Sequence, residues 1–150
     1  MNKFIYITFF LLVFGSSTTT VAQSQNTETE IQYLSTLINN CNGNIYFLGV
    51  GKSGNISKHC SDLLKSISIN CHYLDCLNML HGDIGVVNKD DIIIMFSKSG
   101  NTEELIKLIP HLKNKNCKIL GICCDDNSKF SKYCDRTIKI RVKYKAQFGT

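Results

Sequence analysis

The sequence lacks several features that would assign it to a specialised class of protein. Its eight cysteines include no C-x-x-C pair and no repeated ligand spacing, so they do not indicate a zinc site and are expected to be reduced structural thiols. There is no internal repeat, and no low-complexity tract beyond residues 16–20. Apolar residues make up 43% of the 150 residues, which excludes a disordered chain and is enough to bury the core of one domain.

The sequence also lacks an N-terminal apolar run long enough to span a membrane. The run from Phe4 to Phe14 is too short, but a lysine precedes it and small polar residues follow, the layout of a secretory signal peptide. A docking helix or a misassigned start would look similar. We interpret residues 1–22 as a signal-like or anchor segment, residues 23–29 as a linker and residues 30–150 as the folded domain. Cleavage would place the thiols in an oxidising compartment.

Two segments could be mistaken for binding motifs. In "TIKIRVKYK", apolar and basic residues alternate, which predicts a half-exposed strand with a solvated basic face. A nucleic-acid surface is the alternative, but aromatic interleaving and a binding motif are missing. In "CHYLDC", the side chains of Cys71, His72, Asp75 and Cys76 would point to different faces of a strand, which disfavours a shared metal.

The remaining pattern predicts buried strands that alternate with helices. Apolar strands at "NIYFLG", "INCHYL", "DDIIIMF" and "CKILGICC" are separated by a helix at "NISKHCSDLLKSI", a loop with "MLHGDIG", and a helix at "NTEELIKLIPHLKNKN". A helix over residues 30–40 precedes them, and a short helix and the basic strand follow. Pro110 predicts a kink or a weak last turn in its helix. This order predicts a parallel sheet covered on both faces, with ligands at the carboxyl ends of the strands.

The first glycine-rich loop, "YFLGVGKSG", is not a nucleotide-binding P-loop. A Walker A motif requires glycine five residues before Gly51, where this chain has Tyr46, and no third glycine completes G-x-G-x-x-G. Two interpretations remain. The glycines form an ordinary turn, or they let the backbone approach an anion at a helix N-terminus, with Lys52 adding charge and Ser53 a hydroxyl.

The second loop, "SKSGNTEE", favours the anion interpretation. Ser97, Ser99 and Gly100 lie just before a helix whose free N–H groups suit phosphate oxygens. Thr102 could equally be a plain N-cap. Glu104 would then project a carboxylate near a bound substrate, or merely stabilise the helix dipole.

A third segment carries His81. A lone histidine there is often incidental, but beside two such loops it is a reasonable general acid or base.

Together, "CNGNIYFLGVGKSGNISK", "LHGDIGVVNKDDIIIMFSKSGNTEELIKLIPHLK" and "ILGICC" resemble a sugar isomerase (SIS) domain. The similarity runs from about Cys41 to the chain end and is strongest to the arabinose-5-phosphate isomerases. It implies a three-layer α/β fold with a five-stranded, flavodoxin-like parallel sheet, a homo-oligomer, and no cofactor, nucleic-acid partner or membrane span. It also implies a cytoplasmic enzyme, in conflict with the signal-like N-terminus.

The resemblance implies a role for each motif residue. The implied reaction interconverts ribulose 5-phosphate and arabinose 5-phosphate through a cis-enediol, with Glu104 as the base and Lys52 stabilising charge. His81 would be an acid/base or ring-opening residue and a candidate binder of an inhibitory metal. The implied phosphate ligands are Ser53, Gly54, Ser97, Ser99, Gly100 and Thr102.

Three departures from the family pattern qualify this prediction. Lys145 stands where the family has a glutamate, the later phosphate loop, helix and histidine do not occur before Thr150, and the paired CBS modules are absent. A C-terminally truncated domain is therefore expected, and the alternative to an isomerase is a non-catalytic module that binds a sugar phosphate and regulates a partner.

Overall fold

The computed structural model describes residues 21–140, and side chains from residue 28 onwards. Five parallel strands form one sheet in the order β2-β1-β3-β4-β5. The strands are β1 (Ile45–Gly49), β2 (Cys71–Tyr73), β3 (Ile92–Ser97), β4 (Lys118–Cys123) and β5 (Arg136–Lys139). The helices are α1 (Val21–Asn39), α2 (Lys52–Lys65), α3 (Cys76–Leu80), α4 (Glu103–Asn114) and α5 (Lys129–Tyr133), with a 3-10 turn at Asp83–Val86. The predicted five-stranded parallel α/β fold is confirmed.

Alternation along the strands produces two apolar cores, one on each face of the sheet. Ile92 and Ile94 of β3 pack with α1 and α2, whereas Ile93 and Met95 pack with α3, α4 and α5. Ile93, Ile94 and Met95 are fully buried, and burying each such side chain stabilises the fold by roughly 1.5–3 kcal/mol. The unbroken apolar run at β3 therefore reflects a central strand that is covered on both sides.

Seven of the eight cysteines, all but Cys124, lie in these cores or pack against them. All eight are free thiols. Cys71 lies in the core under α2 and Cys76 in the core under α4, so they occupy opposite sides of the sheet. Burial raises the pKa of Cys60 and of Cys76 to about 12. Among residues 28–140, no group of three or more His, Cys, Asp or Glu side chains is placed to hold a metal ion.

Several element bounds differ from the prediction. Helix α1 spans Val21–Asn39 and so includes residues 23–29, whereas the predicted helix covers residues 30–40. The predicted loop with "MLHGDIG" overlaps the end of α3 and most of the 3-10 turn. Helix α4 continues past Pro110 to Asn114. Within residues 21–140, no helix is long and apolar enough to cross a membrane. The signal-like residues 1–20, and residues 141–150 with Lys145, lie outside the described residues.

Arg136 of the edge strand β5 makes an ion pair and a ring contact with helix α1. The Arg136 guanidinium donates to both carboxylate oxygens of Glu30, at 2.9 and 3.3 Å, and lies 3.8 Å from the centroid of the Tyr33 ring. This bidentate ion pair with a cation–π contact joins the first described helix to the last described strand.

Candidate active site

The candidate site lies between β1 and β3, because the strand order runs outwards from this pair in both directions. Strands β1 and β3 are neighbours, with Gly49 paired to Phe96, and their connections leave towards opposite faces of the sheet. In a sheet of this order the crevice between the carboxyl ends of β1 and β3 is the usual ligand position. Both glycine-rich loops begin at that crevice, as the sequence predicted.

The loop after β1 leads directly into a helix whose first turn is open. Gly51 adopts a φ of 57°, a conformation that favours glycine, and α2 begins at the next residue, Lys52. No side chain of the described residues caps this helix. The Lys52 side chain is exposed and Ser53 is half-buried. The first N–H groups of α2 and the Lys52 ammonium are therefore available to an anion.

Close packing of α2 on β1 fixes the position of this helix end. The Gly54 N–H donates to the Val50 carbonyl at 3.4 Å, and a Cβ on Gly54 would lie 2.8 Å from the Gly49 carbonyl oxygen. The buried Ser57 hydroxyl donates to the Leu48 carbonyl at 2.8 Å. Gly54 thus acts as a packing residue. Ser57 is not among the residues predicted from the sequence, although the small-residue spacing Gly54-x-x-Ser57 along one helix face is a signal for such close packing.

The loop after β3, residues 97–102, is called the anion loop here. The Ser97 hydroxyl accepts from the Gly100 N–H at 3.1 Å and lies 2.8 Å from the Thr102 hydroxyl. Ser97 is only 1% exposed, so its hydroxyl stabilises the loop conformation from the buried side. Thr102 is the N-cap residue of α4, but its side chain makes no hydrogen bond to the first turn of this helix.

Two backbone contacts orient the anion loop. The Lys98 carbonyl accepts from the Cys124 N–H at 3.0 Å, and the Gly100 carbonyl accepts from the Phe130 N–H at 3.2 Å. Both donors belong to the segment between β4 and the first turns of α5. Because the N–H and C=O of a trans peptide point in opposite directions, the Ser99 N–H points away from the Cys124 N–H that holds the Lys98 carbonyl.

The open helix ends distinguish the crevice from the rest of the fold. Helix α3 is capped by Asp75, which accepts from the N–H groups of Leu77 and Asn78, and α5 is capped by Ser128. Only α2 and α4 begin without such a cap among the helices whose first turn is described with side chains. Each open end carries a partial positive charge of about half a unit, so two that share one crevice favour a dianion between them.

Glu104 and His81 come from neighbouring elements. Glu104 is half-buried in the first turn of α4, which packs against α3. Burial is the main cause of the raised pKa of the Cys76 thiol at the start of α3, and the negative charge of the Glu104 carboxylate raises that pKa further. His81 is exposed at the C-terminal end of α3, where its N–H closes the last turn.

The similarities to known proteins agree with this geometry. The SIS domain family matches residues 37–149, most of the chain. The chain belongs to the SIS domain family. It is 33% identical over 113 residues to arabinose 5-phosphate isomerase KpsF of Escherichia coli, covering 75% of this chain and 36% of the relative.

Solved structures place this SIS domain among phosphosugar isomerase folds. An E. coli CFT073 protein in complex with arabinose 5-phosphate is 31% identical, with a TM-score of 0.74, and the match covers 77% of this chain and 61% of that protein. Tagatose-6-phosphate ketose/aldose isomerase from E. coli, at 18% identity and a TM-score of 0.64, shares the fold, and the match covers 77% and 34%. The chain spans about a third of the length of KpsF. The predicted family is confirmed.

Proposed function

We propose that this SIS domain binds a sugar phosphate in the β1/β3 crevice and interconverts arabinose 5-phosphate and ribulose 5-phosphate. The observation that carries the proposal is the pair of uncapped helix N-termini, α2 and α4, which begin at one crevice. Relatedness to KpsF, and to a protein solved with arabinose 5-phosphate, supports a five-carbon sugar phosphate as the ligand.

In this proposal the phosphate is held mainly by backbone donors. The first N–H groups of α2 and α4 and the Ser99 N–H supply hydrogen bonds, and the hydroxyls of Ser53 and Ser99 add two more. Ser99 already accepts from the Asn101 N–H at 3.2 Å, which leaves its proton free to donate. Ser97, Gly100 and Thr102 act indirectly, by fixing the shape of the anion loop.

Glu104 is the proposed base for the carbon-bound proton. In the open-chain aldose it would take the proton from C2, leaving a cis-enediol, and return it to C1 to give the ketose. An anchored phosphate supports this role, because it holds the sugar carbons in a fixed position relative to the Glu104 carboxylate. Lys52 would stabilise the charge that develops on the oxygens. His81 is proposed to move the proton between O1 and O2, or to open the ring.

Incubation of the protein with ribulose 5-phosphate tests the proposal. The expected result is an approach to a fixed aldose-to-ketose ratio from either direction, together with saturable binding of arabinose 5-phosphate. Binding without turnover would favour the alternative, a non-catalytic module that binds a sugar phosphate, over the isomerase. Absence of both binding and turnover would refute the proposed site.

A further inference from the structure

We infer that Ser128 is a positioning residue for the anion loop, acting through Gly100 from the segment between β4 and α5. The inference rests on the proposed function, since it concerns the loop to which the phosphate is assigned. Ser128 lies on another element, where it is the N-cap residue of α5.

Gly100 and Ser128 are in direct contact. Gly100 is buried, adopts a φ of 67°, and faces Ser128 so closely that a Cβ added to Gly100 would overlap both the Oγ and the Cβ of Ser128. The anion loop therefore rests directly on this serine.

The Ser128 side chain is fixed in position by burial and by hydrogen bonds. It is 5% exposed. Its hydroxyl donates to the Asp125 carbonyl at 2.8 Å and accepts from the Ser131 N–H at 3.3 Å, which caps α5. The Ser128 hydroxyl is thus fixed both as a donor and as an acceptor. A side chain added at Gly100 would therefore displace the anion loop rather than Ser128.

The contact between Gly100 and Ser128 also affects the peptides that face the proposed phosphate. The segment that carries Ser128 also supplies the N–H groups of Cys124 and Phe130, which hold the carbonyls of Lys98 and Gly100. Moving the loop off Ser128 would break these bonds and free the two peptides to rotate. A rotated Lys98–Ser99 peptide presents its carbonyl, rather than the Ser99 N–H, to the crevice, and so replaces a donor by an acceptor opposite an anion.

A double-mutant cycle separates this role from simple capping of α5. The four proteins are the wild type, Gly100→Ala, Ser128→Gly and the double variant, and Gly85→Ala is the control because no described heavy atom would lie within 4 Å of its new Cβ. The readouts are affinity for arabinose 5-phosphate by calorimetry and, without ligand, amide hydrogen exchange in residues 97–102.

The expected result is rescue. Gly100→Ala should weaken binding strongly and raise exchange in the anion loop, and the double variant should regain about 10-fold in affinity and lower the exchange, because the obstructing atoms are gone. A residual loss is expected from the positive φ. If the double variant binds no better than Gly100→Ala and exchanges as fast, the inference is overturned.

Two further outcomes are informative. A wild type that binds no sugar phosphate, with the exchange rescue intact, would refute the proposed function and leave the loop contact standing. If Gly100→Ala does not fold, Ser128→Gly and Ser128→Ala replace the cycle, since both lose the cap but only alanine keeps a Cβ against Gly100. Faster loop exchange in the glycine variant supports the inference, and equal exchange overturns it.

Discussion

Replacing Glu104 by glutamine should abolish isomerase turnover and leave sugar-phosphate affinity almost unchanged. The substitution keeps the size of the side chain and removes only its ability to accept a proton. Loss of a positioned base costs about 100- to 10,000-fold in rate. Affinity should stay within about three-fold, because the proposed phosphate contacts come from backbone N–H groups and hydroxyls, and loss of a carboxylate removes repulsion from a dianion.

Glu103→Gln is the matched control for this variant. Glu103 occupies the same first turn of α4 but is 81% exposed and pairs with Lys107 at 3.7 Å. Each substitution removes one favourable charge–dipole interaction, worth roughly 0.3–1 kcal/mol, so both should lower the unfolding free energy similarly. The assay compares kcat, KM and the denaturation midpoint for the two variants and the wild type. Equal loss of turnover in both, or a parallel collapse of affinity in Glu104→Gln, would refute Glu104 as the base.

Three other predictions concern the scaffold. Arg136→Ala should lower the unfolding free energy by about 1 kcal/mol, since the pair is partly exposed, and a urea midpoint equal to the wild type would contradict it. Ser57→Ala should cost about 1–3 kcal/mol and weaken phosphate binding, because the buried Leu48 carbonyl loses a donor; normal stability with normal affinity would argue against this tie. Cys60 and Cys76, with pKa values raised from the ordinary 9.0 to about 12, should stay unmodified by iodoacetamide in native protein at pH 8. Since their neutral form is favoured only when folded, stability should fall as the pH rises from about 9 to 12, and a flat urea midpoint would contradict this.

The sequence predicts those parts of the fold that local patterns encode. The apolar runs at β1 and β3 and the glycine loops after them lie where the patterns placed them. The first turns of α1 were missed because residues 23–29 are polar and carry no apolar periodicity. The direction of a hydroxyl is likewise not a local property: the loop sequence does not reveal that the Ser97 hydroxyl contacts the Gly100 N–H and the Thr102 hydroxyl.

Contacts between distant segments are the part that sequence reasoning could not supply. The anion loop is oriented by N–H groups of Cys124 and Phe130, and Gly100 rests on Ser128. Backbone donors carry no residue signature, and the nearness of these segments follows only from β4 lying beside β3. The same holds for the Arg136–Glu30 pair, which joins residues from opposite ends of the described chain.

Amide hydrogen exchange with and without arabinose 5-phosphate tests the central claim most directly. A two-helix phosphate site predicts that saturating ligand slows exchange in two separate segments, the first turn of α2 and the residues from Ser99 to the first turn of α4. Inorganic phosphate at high concentration should protect the same amides more weakly. Protection confined to one loop, or found elsewhere in the described chain, would contradict the account.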